Sequence, residues 1–258
     1  MLDLATIKKN YPENLQPFER FVLREYLQYK ILQIIFDSEY GKKLCFLGGT
    51  ALRVVYGNKR FSEDLDFDNF GLNEQDFDNM IQEIKRKMEL EGYEIEVKNI
   101  FKGAYRCYLR FPKLLKKMGL SGYEEEKILV QIDTVKQSYN YQFEKFLLNK
   151  FDVFTEINVT PADILLSKKI EAAIGRKTLK GRDFFDIVFL FSFTKPNYEY
   201  LQDKAGIGDL LGLKAKMGEV LDGIDMDKLA KDTQPFLYDP KDIKRVTLFK
   251  DFLSSLRD

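Results

Sequence analysis

Three aspartates stand where carboxylates can do chemistry. Asp64 and Asp66 lie one residue apart in the run RFSEDLDF, residues 60–67, and Asp133 interrupts the apolar run ILVQIDTV, residues 128–135. If residues 61–67 form a strand, its period of two puts Asp64 and Asp66 side by side on one face and Leu65 and Phe67 on the other. Carboxylates that close repel each other unless a cation sits between them. A carboxylate inside an apolar strand is costly unless it is paired or bound to metal. Should a strand over residues 127–135 neighbour the first, the three acids form a cluster suited to two Mg²⁺ ions, with Mn²⁺ as an alternative. Asp133 would then be the acid nearest an attacking hydroxyl.

The same region offers a place for phosphate. Gly48, Gly49 and Thr50 follow a short apolar run, residues 44–47. Two glycines let a phosphate approach the backbone, a helix start supplies N–H donors, and Thr50 adds a hydroxyl. Farther along, Lys168, Lys169, Arg176, Lys177, Lys180 and Arg182 put six cations into fifteen residues, countercharge of the kind a triphosphate needs. Asp183 and Asp186, three apart on a helical face, could orient Lys169 or Arg176. Each feature alone has a plainer reading: a turn, a solvated strand edge, an ion pair between Asp133 and a lysine, or an exposed helix face. Those readings would have to hold together, in this order and on these elements.

The elements that must position these residues are legible in outline. Residues 17–38 carry a broad apolar stripe and predict a helix. One or two helical turns follow over 50–56, stopped by Gly57-Asn58, and then comes the strand over 61–67. A helix over 73–90 has Asn73 as its N-cap and acids in its first turn. Further strands are expected over 93–98, 104–111 and 127–135, with mostly helix beyond. Thr160-Pro161-Ala162-Asp163 opens a helix running to about residue 173, another starts near Arg182, and Asp239-Pro240 opens a last one that reaches the C-terminus. The shift from strand-rich to helix-rich sequence places a domain boundary at 136, giving domains 1–136 and 137–258.

Composition removes several chemistries. The 258 residues include 41 Lys plus Arg against 41 Asp plus Glu, and neither histidine nor tryptophan. Without histidine there is no Ser-His-Asp or Cys-His pair and no imidazole metal site, so catalysis must use carboxylates, Lys, Arg, hydroxyls and hard, oxygen-liking metals. Cys45 and Cys107 are far apart and form no CxxC, which predicts two buried thiols in a reducing cytosol. Residues 1–10 lack a long apolar stretch, and the most apolar run, 184–194, contains Asp186 and is too short for a bilayer. The expectation is a soluble cytoplasmic protein with no membrane partner. The charge balance also conceals two blocks: residues 63–83 hold eight acids and no base, residues 98–117 seven bases and no acid. On a strand over 104–111, Arg106, Tyr108 and Arg110 share one face, a combination of cations and a stacking ring that suits single-stranded or end-of-helix RNA. The plainer reading is a half-buried strand with a solvated face.

The order glycine pair, spacer, D-x-D resembles motif I of the polymerase-β-type nucleotidyltransferase superfamily. More narrowly, GGTAL (48–52) with RFSEDLDF (60–67) is similar to the AbiEii/AbiGii-type nucleotidyltransferase toxins. Lys169-Ile170-Glu171-Ala172, Arg176 and Arg182-Asp183-Phe184-Phe185-Asp186 are similar to that family's K-x-x-A…R…R-D-x-x-D signature. The likeness spans about residues 44–190, and from about residue 196 no motif is recognised. It implies an α+β fold: a polymerase-β-like core, a small mixed sheet flanked by helices, with a helical C-terminal region. It implies a Mg²⁺-dependent transfer of a nucleoside monophosphate from an NTP to an acceptor hydroxyl, releasing pyrophosphate. The implied catalytic residues are Asp64, Asp66, Asp133 and Lys169, the first three also holding metal. The implied nucleotide-binding residues are Gly48, Gly49, Thr50, Arg60, Ser62, Lys169, Arg176, Arg182, Asp183 and Asp186, with Lys169 rather than Lys168 on the triphosphate. The resemblance further implies a toxin of a toxin–antitoxin or phage-defence system, with a cognate antitoxin encoded nearby. The acceptor it implies is RNA, the 3′ end of tRNA in parts of the family. Nucleotidylation of a protein hydroxyl and a non-catalytic nucleotide-binding module remain as other readings.

Overall fold

The structure, a computed structural model, describes residues 1–257. The chain divides into two compact units: residues 1–56 with 61–160, and residues 57–60 with 161 onward. It therefore leaves the first unit after Tyr56, lends Gly57–Arg60 to the second, and returns at Phe61.

The first unit is built on a seven-stranded mixed sheet. In chain order its elements are α1 (Leu4–Lys8), α2 (Glu19–Phe36), β1 (Leu44–Leu47), α3 (Gly48–Val54), β2 (Asp64–Asn69), α4 (Glu74–Leu90), β3 (Glu96–Lys102), β4 (Ala104–Phe111), α5 (Leu114–Lys117), β5 (Ile128–Lys136), β6 (Glu144–Lys150) and β7 (Val153–Val159). Across the sheet the strands run β3-β4-β5-β2-β1-β7-β6. The β2–β5 and β1–β7 pairs are parallel and the others antiparallel. One face carries the core: Leu65 and Phe67 of β2, Cys107 and Leu109 of β4, and Val130 and Ile132 of β5 are all buried. Two helices pack on that face. The Phe36 ring of α2 lies 6.2 Å from Phe67, and the Phe77 ring of α4 lies 5.6 Å from Tyr105. Asn73 caps α4 as expected, its side chain accepting from the Asp76 amide.

Burying apolar side chains on one face leaves the other to polar ones, as the strand period requires. Asp64, Asp66 and Asp68 of β2, Gln131 and Asp133 of β5, and Arg106, Tyr108 and Arg110 of β4 share this second face. A buried carboxylate fixes α3, the helix that follows β1. Glu25 of α2 is met by Arg53 of α3 at 3.1 Å and by Lys150 of β6 at 2.8 Å. Burial pushes the Glu25 carboxyl up, but the two cations outweigh it and hold the group below its ordinary value. Lys150 also lies 3.7 Å from the Tyr11 ring centre, a cation–π contact that adds to its hold.

The second unit is helical: α6 (Ala162–Gly175), α7 (Gly181–Phe191), α8 (Tyr198–Ala205), α9 (Leu210–Leu221), α10 (Met226–Ala230), α11 (Lys244–Thr247) and α12 (Phe249–Ser255). Phe184 of α7 packs edge-on against Phe249 of α12, with ring centres 4.8 Å apart. Residues 57–60 are held there by backbone contacts: Arg60 bridges to Leu237, and the Tyr238 amide donates to the Lys59 carbonyl at 3.4 Å.

The fold class is the one expected, a mixed sheet flanked by helices with a helical C-terminal region, but the sheet is larger than the sequence suggested. The expected boundary at 136 falls inside the sheet unit, because β6 and β7 follow it and the unit continues to Thr160. Thr160 is not a helix cap; its hydroxyl lies 2.9 Å from Tyr141 Oη and Pro161 takes the N-cap position of α6. The last helix is broken into a 3₁₀ turn at Pro240–Ile243 followed by α11 and α12. Cys45 and Cys107 are buried free thiols, and burial pushes Cys107 up to about 12. Among the described residues no helix is long and apolar enough to cross a membrane.

Removing Glu25 leaves Arg53 and Lys150 without their buried partner, so Glu25→Ala should lower the unfolding free energy by about 3 kcal/mol. Exposed Glu13→Ala should stay within about 0.5 kcal/mol in the same urea titration.

Candidate active site

The glycine turn and the acidic strand touch. Leu47, the last residue of β1, pairs with Asp66 of β2, so the chain turns into α3 directly beside that carboxylate. Gly48 has φ +81°, and a Cβ there would sit 2.1 Å from Asp66 Oδ2. Only glycine satisfies both the left-handed backbone and the close approach. The helix begins at Gly48 rather than at Thr50 and is seven residues long. Thr50 is buried, and its hydroxyl donates to the backbone carbonyl of Asp64 at 2.5 Å. That hydroxyl fastens α3 to β2. The approach to β2 is held from α2, where Gln28 Nε2 donates to the carbonyls of Ser62 and Glu63 at 3.2 and 2.9 Å.

The third expected acid is on the neighbouring strand and in step. In the parallel β2–β5 pair Asp66 stands opposite Asp133 and Asp64 opposite Gln131. Paired residues of neighbouring strands point to the same face, so Asp64, Asp66 and Asp133 share one. Asp133 does not interrupt a buried strand: β5 alternates, and its side chain is 17% exposed. Both its oxygens are engaged. Arg106 Nε of β4 donates to Oδ1 at 2.5 Å, and Gln131 Nε2 donates to Oδ2 at 2.6 Å. The partner is thus an arginine from the basic block, where the sequence suggested a lysine. Among the described residues no group of three or more acidic or cysteine side chains is gathered closely enough to hold a metal ion. Asp68, the next outward residue of β2, extends the pair to D-x-D-x-D, the signal by which the sequence marks it. Its buried carboxylate accepts from Tyr141 Oη at 2.5 Å.

The donor set fits a hard divalent cation in type. It consists of carboxylate oxygens only, on one face, beside a turn whose lack of a Cβ leaves room at Asp66.

Gly49 and Ser62 belong to the sheet unit, whereas Arg60, Lys169, Arg176 and Asp183 gather in the helical unit around Asp186 of α7, which is fully buried. Arg60 grips it with Nε at 2.7 Å and Nη2 at 2.5 Å; Asn58 Nδ2 donates at 2.8 Å; Lys169 Nζ of α6 lies 2.8 Å from Oδ2. Asp183, one turn earlier, is paired with Lys169 at 3.3 Å and with Arg176 at 2.8 Å. The two acids do orient Lys169 and Arg176, and Arg60 joins them. Three cations meet two carboxylates, which leaves one positive charge in excess. Arg182 lies over the Phe236 ring, 4.5 Å from its centre. Burial pushes Asp186 up, but Arg60 and Lys169 prevail and hold it down to about 2.

A carboxyl lowered from 3.8 to about 2 contributes stability that is complete above its unfolded value and is lost as the pH falls through the folded one. The window is therefore acid, between 3.8 and about 2. Asp186→Asn should be less stable at neutral pH by about 3 kcal/mol, since Arg60 and Lys169 lose their buried counter-ion. Its stability should then fall less steeply than wild type across that window, as read by denaturant titrations at stepped pH.

Comparison with known proteins now bears on this geometry. No curated protein gives a significant match. Among solved structures, JHP933 from Helicobacter pylori is similar at a TM-score of 0.55 and 18% identity, covering 91% of this chain and 92% of its own. An H. pylori protein described as a candidate nucleotidyltransferase is similar at 0.54 and 18%, covering 90% and 93%. At that identity these two speak for the fold alone. The model of the family described as "Nucleotidyl transferase AbiEii toxin, Type IV TA system" matches residues 30–236, a span that takes in the glycine turn, all three aspartates and the Asp186 cluster. The chain belongs to the AbiEii nucleotidyltransferase toxin family.

Proposed function

We propose that this nucleotidyltransferase moves a nucleoside monophosphate from an NTP to a hydroxyl of an RNA acceptor, the 3′ end of tRNA being the foremost one, in the cytoplasm and under the control of a cognate antitoxin. The observation that carries the reading is the register of β2 and β5, which sets Asp64, Asp66 and Asp133 on one sheet face beside the Gly48 turn. Asp64 and Asp66 hold divalent metal, with Asp133 as the third ligand. Mg²⁺ bound there supplies countercharge to the phosphates and acidifies the attacking hydroxyl.

This chain's own groups do the rest. The Gly48-Gly49 backbone lets the phosphates come close, since no side chain stands in the way. A carboxylate oxygen of Asp133 takes the proton of the acceptor hydroxyl. The hydroxyl oxygen bonds to the α-phosphorus as the bond from that phosphorus to the bridging oxygen breaks, and pyrophosphate leaves. The excess positive charge of the Arg60–Lys169–Arg176 cluster supports the role of Lys169 and Arg176 as countercharge to a triphosphate. Catalysis then rests on positioning and charge, with no covalent intermediate. Arg106, Tyr108 and Arg110, on the same face as the acids, favour an RNA acceptor; Arg110 lies 5.5 Å from the Tyr108 ring centre.

Incubation with each labelled NTP, Mg²⁺ and separated RNA and protein fractions tests the reading. Label is expected in RNA, and Asp66→Asn should reduce it at least about a hundredfold. Label confined to protein would overturn the acceptor. In the same assay Gly48→Ala should lose most activity, because its methyl group displaces the Asp66 carboxylate, while the protein stays folded by circular dichroism.

A further inference from the structure

A single row of side chains crosses the open face of the sheet: Asp66 on β2, Asp133 on β5 and Arg106 on β4, each in register with the next. Neighbouring strands lie about 4.8 Å apart, so Asp133 has a carboxylate on one side and a guanidinium on the other at similar range. It faces Arg106. Gln131 holds its second oxygen, and among the described residues the three acids are not gathered as a metal site. Arg106 itself is 44% exposed along its side chain, so it can swing away without opening the core.

We propose that Arg106 is a positioning residue for Asp133: it holds the third carboxylate aside in the metal-free protein, and a divalent cation must displace it to bring Asp133 to Asp64 and Asp66. The inference rests on the metal site of the proposed function. Cation and guanidinium are competing counter-ions for one carboxylate, so the strength of the Arg106 contact sets the apparent metal affinity. The released guanidinium stays on the face that carries Tyr108 and Arg110, where it can meet a phosphate. Metal loading and phosphate binding would then favour each other, since each takes one partner of the pair.

Mn²⁺ titrated into the full chain without nucleotide, followed calorimetrically or by electron paramagnetic resonance, tests this. Arg106→Ala should bind Mn²⁺ about fivefold more tightly than wild type, the loss of a partly exposed competing ion pair. Arg106→Lys, which keeps a competing charge, should stay near wild type. Arg110→Ala, which removes a charge from the same face without touching Asp133, should change affinity less than about twofold. The gain from Arg106→Ala should vanish when Asp133→Asn is also present. Unchanged or weaker binding by Arg106→Ala, an equal gain in Arg110→Ala, or a gain that survives Asp133→Asn overturns the proposal. Failure of the metal site itself reads differently: Asp66→Asn and Asp133→Asn would then bind Mn²⁺ as wild type does, whatever Arg106 contributes.

Discussion

The register of one parallel strand pair governs the chemistry of the sheet unit. With Asp66 opposite Asp133, the carboxylates of Asp64, Asp66 and Asp133 lie on one face, while Leu65 and Phe67 of β2 and Val130 and Ile132 of β5 are buried on the other. A slip of one residue would turn Leu65 and Phe67 outward and bury the carboxylates, at a cost the unit could not bear. The candidate site is therefore not an addition to the fold. The hydrophobic pattern that makes the sheet pack on one side is the same pattern that gathers the acids on the other. Glu25 extends this order to the end of β1, where its ion pair with Arg53 fixes α3 and so the glycine turn that meets Asp66.

A second organising charge lies in the helical unit. Asp186 is buried with an arginine, a lysine and an asparagine, and its ionised form is strongly favoured. Such a cluster adds little net stability over a well-packed apolar one, but it tolerates no missing partner. It also gives the family's two sequence signatures a physical connection. Arg60 opens the run RFSEDLDF and Asp186 closes R-D-x-x-D, and in the folded chain they are one bidentate ion pair across 126 positions.

Much of this could be read before folding, because it depends on local periodicity. The D-x-D strand, the glycine turn, the Asn73 cap and the helices of the second signature all announce themselves within a few residues. Other parts could not be. β6 offers only the apolar triplet Phe146-Leu147-Leu148 without alternation, and the turn that joins it to β7 uses Phe151 at φ +60° where glycine or asparagine would have been the signal. Nothing local to Arg60 names its ion-pair partner, Asp186, which lies 126 positions along the chain. Asp186 did carry a signal: an aspartate within FFDIVFLF is as costly as one within an apolar strand and calls for a buried cation. Asp133 shows the limit of that argument, since the alternation of β5 leaves it partly solvated and its partner is an arginine in register on the next strand.

Gly48 bears on how such an enzyme is lost. Every missense change of its codon adds at least a Cβ, and that atom lands on Asp66 whatever the new side chain is. Gly48 is itself buried and left-handed, so each such change also strains the backbone of the turn. For a cell under pressure from an unrestrained toxin, this one codon is a broad mutational target, since every amino-acid change at it crowds the same carboxylate.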